Sequence, residues 1–277
     1  MSFSGHTARK RFGQHWLRDA RVLDHILEAS DLSAEDRVLE VGPGRGALSE
    51  RLLSSPAAAV HAVELDRDLV AGLRERFGEH SRFSLCQGDV LNVPLTFPDG
   101  RAATKVVANI PYNITGPLLE RLVGRLDRPL KSPYKRLVLL IQKEVAERIR
   151  ARPGDRNFSA LSVRMQLLAR CTTVCPVPPR CFQPAPKVQS EVIQIDPFPA
   201  DQQPEPALAI RVDRLLKQAF LSRRKMLRNT LTGICPPDQL QDLASAAGFN
   251  LQQRPQELAP SVWIELARGL NQAHSPA

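Results

Sequence analysis

Three groups of residues, each closing a short apolar run, are equipped to hold a nucleoside. Glu40-Val41-Gly42-Pro43-Gly44-Arg45-Gly46 follows the first run. Glycines there let the backbone turn tightly and approach a ligand with no Cβ in the way. Glu64 ends the second run, where a carboxylate can accept both hydroxyls of a ribose, and Asp89 closes the third, placed to accept from an adenine amino group. The spacing is Gly-x-Gly-x-Gly behind an acid. Nicotinamide-dinucleotide enzymes instead carry Gly-x-Gly-x-x-Gly, with the third glycine one position later. A fourth run ends in Asn109-Ile110-Pro111-Tyr112, which sets a side-chain amide beside a flat ring. Either acid alone would pass as a turn residue; both in order, each at a strand end, indicate a shared adenosine-like ligand.

These residues need a parallel sheet to bring them together. Short apolar runs alternate with helical stretches from residue 37 to about 195, the pattern of an α/β sheet covered by helices. Strands are expected at 37–41, 60–64, 83–86, 105–109 and 137–141, and helices at 47–53, 67–77, 117–126 and 143–150. Two later strands, near 172–174 and 191–195, would close the sheet as a hairpin. Residues 196–206 hold Pro197, Pro199, Pro204 and Pro206 and read as a linker. Beyond it, helices are expected at 208–221, 224–232, 237–247 and 261–270. The organisation read from this is a basic arm (1–20), an α/β domain (21–196) and a smaller all-α domain (207–277).

The 277 residues carry 38 Lys plus Arg against 29 Asp plus Glu, a net charge of +9. With 43% hydrophobic residues, a globular core is expected rather than disorder. The excess charge is local. Residues 1–21 hold five basic and one acidic residue, 121–190 fifteen and four, and 211–228 seven and one, which leaves the remainder net acidic. Thirty of the basic residues are Arg, the side chain suited to bidentate phosphate recognition. Such patches suit a nucleic-acid partner. No apolar run approaches the roughly 18 residues of a membrane span. The first eleven residues lack an apolar signal core, so a cytoplasmic location is expected. Five cysteines are an odd set for a disulfide framework. Cys171, Cys175 and Cys181 lie in a β-branched, Pro-rich stretch and read as strand residues, with no metal site expected.

The order of acid, glycine loop, ribose acid and adenine acid resembles the S-adenosyl-L-methionine sheet of class I methyltransferases, a Rossmann-like fold. The Asn109–Tyr112 tetrad resembles the motif of amino-group methyltransferases that act on adenine N6. Two further segments narrow the likeness. Arg11-Phe12-Gly13-Gln14-His15-Trp16-Leu17 resembles the stretch preceding the fold in rRNA adenine dimethyltransferases, and Phe182-x-Pro184-x-Pro186-Lys187-Val188-x-Ser190 resembles their post-sheet loop. The chain thus resembles this family over nearly its whole length, its bacterial small-subunit members above all. That resemblance implies dimethylation of N6 on two adjacent adenines in the 3′-terminal hairpin loop of 16S rRNA, with the assembling small ribosomal subunit as partner. It further implies a monomer, no membrane and no metal.

Position by position, the resemblance implies that Gln14, His15 and Leu17 line the methionine end of the cofactor and that Gly42 and Gly44 pass beneath it. Glu64 would bind ribose, Asp89 adenine, and Asn109 both cofactor and substrate amine. The Asn109 oxygen and a main-chain carbonyl at Ile110 or Pro111 would take the two amine protons, aiming the lone pair at the methyl. Tyr112 would stack the extruded base, with Phe182 opposite. Arg223, Arg224, Lys225 and Arg228 would lie on a basic helix against rRNA phosphates. His15 stands where the family usually has Asn, and Trp16 where it has Phe. A donor set that changes near pH ~6.5 is therefore expected to make cofactor affinity pH-dependent. Two alternatives stay open at this stage: a large-subunit dimethyltransferase of the macrolide-resistance type, and a non-catalytic RNA- or transcription-associated protein of the same fold.

Overall fold

A computed structural model describes residue 9 and residues 13–130 and 134–272. Most of the N-terminal arm, including Arg11 and Phe12, lies outside the described residues.

The chain opens with a two-residue strand β1 (Trp16–Leu17) and helix α1 (Ala20–Ser30), which Asp19 caps by accepting from the Val22 amide. Next come β2 (Arg37–Val41), α2 (Ala47–Ser54), β3 (Ala59–Glu64), α3 (Arg67–Phe77), β4 (Phe83–Gln87), β5 (Lys105–Asn109) and α4 (Thr115–Val123). A small hairpin, β6 (Gly124–Arg125) and β7 (Arg128–Pro129), precedes β8 (Arg136–Gln142), α5 (Lys143–Arg150), α6 (Ala160–Leu168), β9 (Ala169–Val177), β10 (Phe182–Gln183) and β11 (Ser190–Pro197). The last helices are α7 (Pro206–Phe220), α8 (Leu227–Thr230), α9 (Pro237–Ala246) and α10 (Pro260–Gln272).

The main sheet runs in the order β4-β3-β2-β5-β8-β11-β9. Strands β4, β3, β2, β5 and β8 run parallel to one another, and β11 returns antiparallel to β8. Successive residues of β2, β3, β5 and β8 are buried on both faces, as the long β-branched and leucine runs require. One face packs on Val22, Leu23 and Ile26 of α1, Leu48 and Leu52 of α2, and Leu73 and Phe77 of α3. Strand order reverses between β2 and β5, and α/β sheets bind ligands in the crevice that such a reversal opens at the carboxyl ends of the strands.

The α/β sheet expected from the alternation is present, with a helical C-terminal portion. Two compact units arise, one from Met1–Leu122, Ser132–Ala146 and Cys171–Pro197, the other from Val123–Lys131, Glu147–Arg170 and Phe198–Ala277. The helical unit therefore takes in two excursions from the sheet region. Within it α6 packs on α7, where Arg164 pairs with the buried Asp213 at 2.7 Å. The basic helix expected at 224–232 contracts to α8, because the amides of Leu227 and Arg228 donate instead to the carbonyls of Gln253 and Leu251. Among the described residues no helix is long and apolar enough to cross a membrane, and no cluster of His, Cys, Asp and Glu could hold a metal ion.

Candidate active site

A cavity of about 340 Å³ opens at the carboxyl ends of β2, β3 and β5. Its wall takes in Gly42 and Gly44 after β2, Glu64 at the end of β3, Asp89 after β4, and Asn109 through Tyr112 after β5. Gln14, His15 and Trp16 close it from the arm side.

The glycine loop earns its composition at Gly44. That residue sits at φ +59°, and a Cβ there would lie 2.7 Å from Cδ1 of Trp16. The Trp16 indole therefore fills the space over the loop, with the Arg45 guanidinium 4.0 Å above its ring. Gly42, at φ +64°, has no atom within 3.4 Å of where a Cβ would stand, and its missing side chain faces the cavity wall.

Glu64 is buried and held by two backbone donors, Gly44 N at 3.1 Å and Asp66 N at 2.9 Å. Burial pushes its carboxyl above the usual range, and those amides oppose the rise. A carboxylate offers about four acceptor sites, so two remain for hydroxyls. Asp89 accepts from Leu91 N at 2.9 Å and Asn92 Nδ2 at 2.7 Å, which fixes its side chain at the cavity rim.

Asn109 donates through Nδ2 to the main-chain carbonyl of His15 at 2.9 Å. Tyr112 stacks on His15, with ring centroids 5.5 Å apart and planes inclined by 25°. Its hydroxyl lies 2.5 Å from Oγ of the fully buried Ser190, and burial raises the phenol above its ordinary value. The His15 ring is held in turn, its Nδ1 2.8 Å from the Pro184 carbonyl. The Pro111 carbonyl accepts from Ile114 N at 3.1 Å.

Two of the expected residues stand elsewhere. Leu17 and Phe182 face each other across the β1–β10 pair and are buried in the core with Val22, Leu23 and Val177. Neither lines the cavity. A loop motif cannot show that strand alternation turns Phe182 inward and leaves Gln183 outside. Arg223, Arg224 and Lys225 lie in the helical unit. Arg223 is engaged there, with Nε donating to Gln256 Oε1 at 2.8 Å and the guanidinium to the Arg156 carbonyl. Arg224 and Lys225 are exposed.

A description of ribosomal RNA adenine dimethylases matches residues 5–271. The chain belongs to the ribosomal RNA adenine dimethylase family. One relative of this dimethylase, ribosomal RNA small subunit methyltransferase A of Synechococcus sp. (strain WH7803), is 74% identical over 277 residues, covering 100% of this chain and 99% of that one. The protein of the same name from Parasynechococcus marenigrum (strain WH8102) is 76% identical over 272 residues, covering 98% and 90%. Among solved structures, a dimethyladenosine transferase from Plasmodium falciparum matches with a TM-score of 0.77 and 26% identity over 93% of this chain and 98% of that one. The 23S rRNA methyltransferase ErmE matches with 0.73 and 27% over 93% and 100%.

Behind the dimethylase cavity stand two buried acids to which motif reading gave no role. Glu40, ahead of the first glycine, is fully buried, with neither carboxylate oxygen hydrogen-bonded among the described residues. Burial holds its carboxyl up to about 8; the Ser49 side chain and backbone lie close enough to oppose this without reaching good hydrogen-bond geometry, and the Glu64 charge adds to it. Asp66 caps α3, and its place directly before a helix was the signal available for it.

Proposed function

We propose that this chain dimethylates N6 of two adjacent adenines in the 3′-terminal hairpin loop of 16S rRNA, taking methyl groups from S-adenosyl-L-methionine during small-subunit assembly. A monomer working in the cytoplasm is part of the same proposal. The observation that carries it is the end-to-end likeness to ribosomal RNA small subunit methyltransferases A at 74% identity, against 27% for the 23S enzyme's structure.

The cavity residues fit the proposed cofactor. Glu64 keeps acceptor capacity for two ribose hydroxyls, and Gly42 presents bare backbone to the cavity. Bound there, S-adenosyl-L-methionine would supply a methyl carbon on a sulfonium, an electrophile that needs only an aligned nitrogen lone pair. This chain's residues do the aligning. The carbonyl of His15 can only accept, so it turns Nδ2 of Asn109 toward the arm and leaves Oδ1 to take one amine proton. The main-chain carbonyl of Ile110 or Pro111 takes the other. Both acceptors draw the lone pair out of conjugation with the purine and point it at the donor. The methylated nitrogen is then cationic and acidic, and its proton leaves without a strong base. Tyr112 gives the extruded base a face to stack on.

The test is mass spectrometry of 16S rRNA fragments after the purified protein is incubated with undermethylated small subunits and S-adenosyl-L-methionine. Two adjacent dimethyladenosines are expected. Unmodified 16S rRNA, with large-subunit rRNA methylated in a parallel incubation, would overturn the assignment.

A further inference from the structure

Asp66 does more than cap a helix. Its side chain is completely buried, and among the described residues its two oxygens serve three partners. Oδ1 accepts from the Asp68 amide at 3.2 Å and from Arg9 Nη1 at 3.0 Å, and Oδ2 accepts from Gln14 Nε2 at 3.0 Å. Gln14 completes the circuit by accepting from the Arg9 amide at 2.8 Å. The other guanidinium nitrogen of Arg9 reaches Asp68 at 2.5 Å. Asp66 also supplies, through its own amide, one of the two donors that fix Glu64.

One buried carboxylate thus ties the arm to the wall that holds Glu64. The same arm is fixed farther along by Asn109 Nδ2 on the His15 carbonyl and by the pairing of Trp16 with Gln183. Between these ties, Gln14, His15 and Trp16 form one side of the cavity. A ligand seated against Glu64 and reaching Asn109 lies beneath that segment. The β1–β10 tie is main-chain pairing within the fold, whereas the Asp66 tie is made of side chains, one of them on the part-exposed Arg9.

We propose that Asp66 is a positioning residue that latches the segment 13–17 over the cavity, so that the cofactor leaves when the Arg9 and Gln14 bonds to Asp66 open. The proposal rests on the reading of the cavity as the S-adenosyl-L-methionine site. It has a consequence for dimethylation: a spent cofactor must be exchanged between the two transfers to one nitrogen, and the latch sets how fast that exchange runs.

The test compares Asp66→Ser, Arg9→Ala and the double variant. Serine still caps α3, so the melting temperature is expected to stay near that of the wild type, but its short side chain cannot reach the arm. Dissociation of S-adenosylhomocysteine, followed by tryptophan emission, is expected to quicken roughly tenfold in each single variant, the scale of one charge-assisted hydrogen bond. The double variant is expected to fall well short of the product of the two effects, since both changes open the same latch. Amide exchange across residues 14–17 should accelerate in Arg9→Ala with no ligand present. Unchanged dissociation in either single variant, or additive effects in the double, would overturn the latch. Failure of the wild type to bind S-adenosylhomocysteine would overturn the cofactor reading instead, and the ligand-free exchange would still decide whether Arg9 holds the arm.

Discussion

Asn109 Nδ2 and the main-chain carbonyl of His15 are hydrogen-bonded at 2.9 Å, joining the end of β5 to the N-terminal arm. This bond fixes which end of the Asn109 amide faces the arm; in the proposed mechanism the other end, Oδ1, takes an amine proton. Asn109→Asp keeps the acceptor but sets a second oxygen against the His15 carbonyl, and Asn109→Ala removes both contacts. Either change is expected to lower methyl transfer to undermethylated small subunits by roughly 10²–10³-fold, the scale of a lost preorganised contact to the reacting group. S-adenosylhomocysteine affinity, which Glu64 also serves, should fall much less. Full methyl transfer by Asn109→Ala would end the mechanism.

Tyr112 makes a separable contribution through its ring and its hydroxyl. Tyr112→Phe keeps the face but leaves Oγ of buried Ser190 without the phenol 2.5 Å away. That variant should lose about 1–2 kcal/mol of stability in denaturant titration and retain turnover within a few-fold. Tyr112→Ala removes the stacking surface and should lower kcat/KM for RNA by about 10–100-fold, as base–aromatic stacking of roughly 1–3 kcal/mol implies. Equal losses in the two variants would assign the role to the hydroxyl.

Apolar periodicity made the sheet legible: the strand at 105–109 and the helices at 67–77 and 143–150 stand where their patterns place them. The convergence of the glycine loop, Glu64, Asp89 and Asn109 on one cavity was legible because each ends or follows a strand that the pattern had already located. What stayed hidden depends on contacts between distant segments. The inward turn of Phe182 follows from its register opposite Leu17, and a two-residue strand has no period to read. Likewise, α8 is short because its first amides are taken by carbonyls more than twenty residues away. Asp66 could be read as a cap, but its bonds to Arg9 and Gln14 cross more than fifty residues of chain.

Glu40 gives the enzyme a built-in pH dependence of stability. The unfolded residue ionises near 4.5, whereas burial keeps the folded carboxyl protonated up to about 8. The folded chain therefore binds more protons within that window, and stability falls as pH rises. The contribution is fully present below the unfolded value, declines by up to roughly 1.4 kcal/mol per pH unit, and is gone above the folded value. Glu40→Gln is nearly isosteric and does not titrate, so its stability advantage over the wild type should grow between about pH 5 and pH 8. Urea midpoints for both proteins across that range provide the check, and parallel pH profiles would contradict it.

The basic segment of the helical unit should divide by engagement rather than by charge. Arg223 donates to Gln256 and to the Arg156 carbonyl, so Arg223→Gln breaks contacts within its own unit and is expected to lower the melting temperature. Arg224 and Lys225 are exposed. Replacing either by Gln should leave stability within about 0.5 kcal/mol of the wild type. If they neutralise rRNA phosphates, each loss weakens binding and flattens the dependence of log K on log salt by about 0.7–0.9 per contact removed. Binding of the 3′ domain of small-subunit rRNA, titrated at several salt concentrations, measures both quantities. An unchanged slope in the Arg224→Gln, Lys225→Gln double variant would remove this segment from the RNA interface, and a flattened slope in Arg223→Gln at unchanged stability would reverse the division between the three residues.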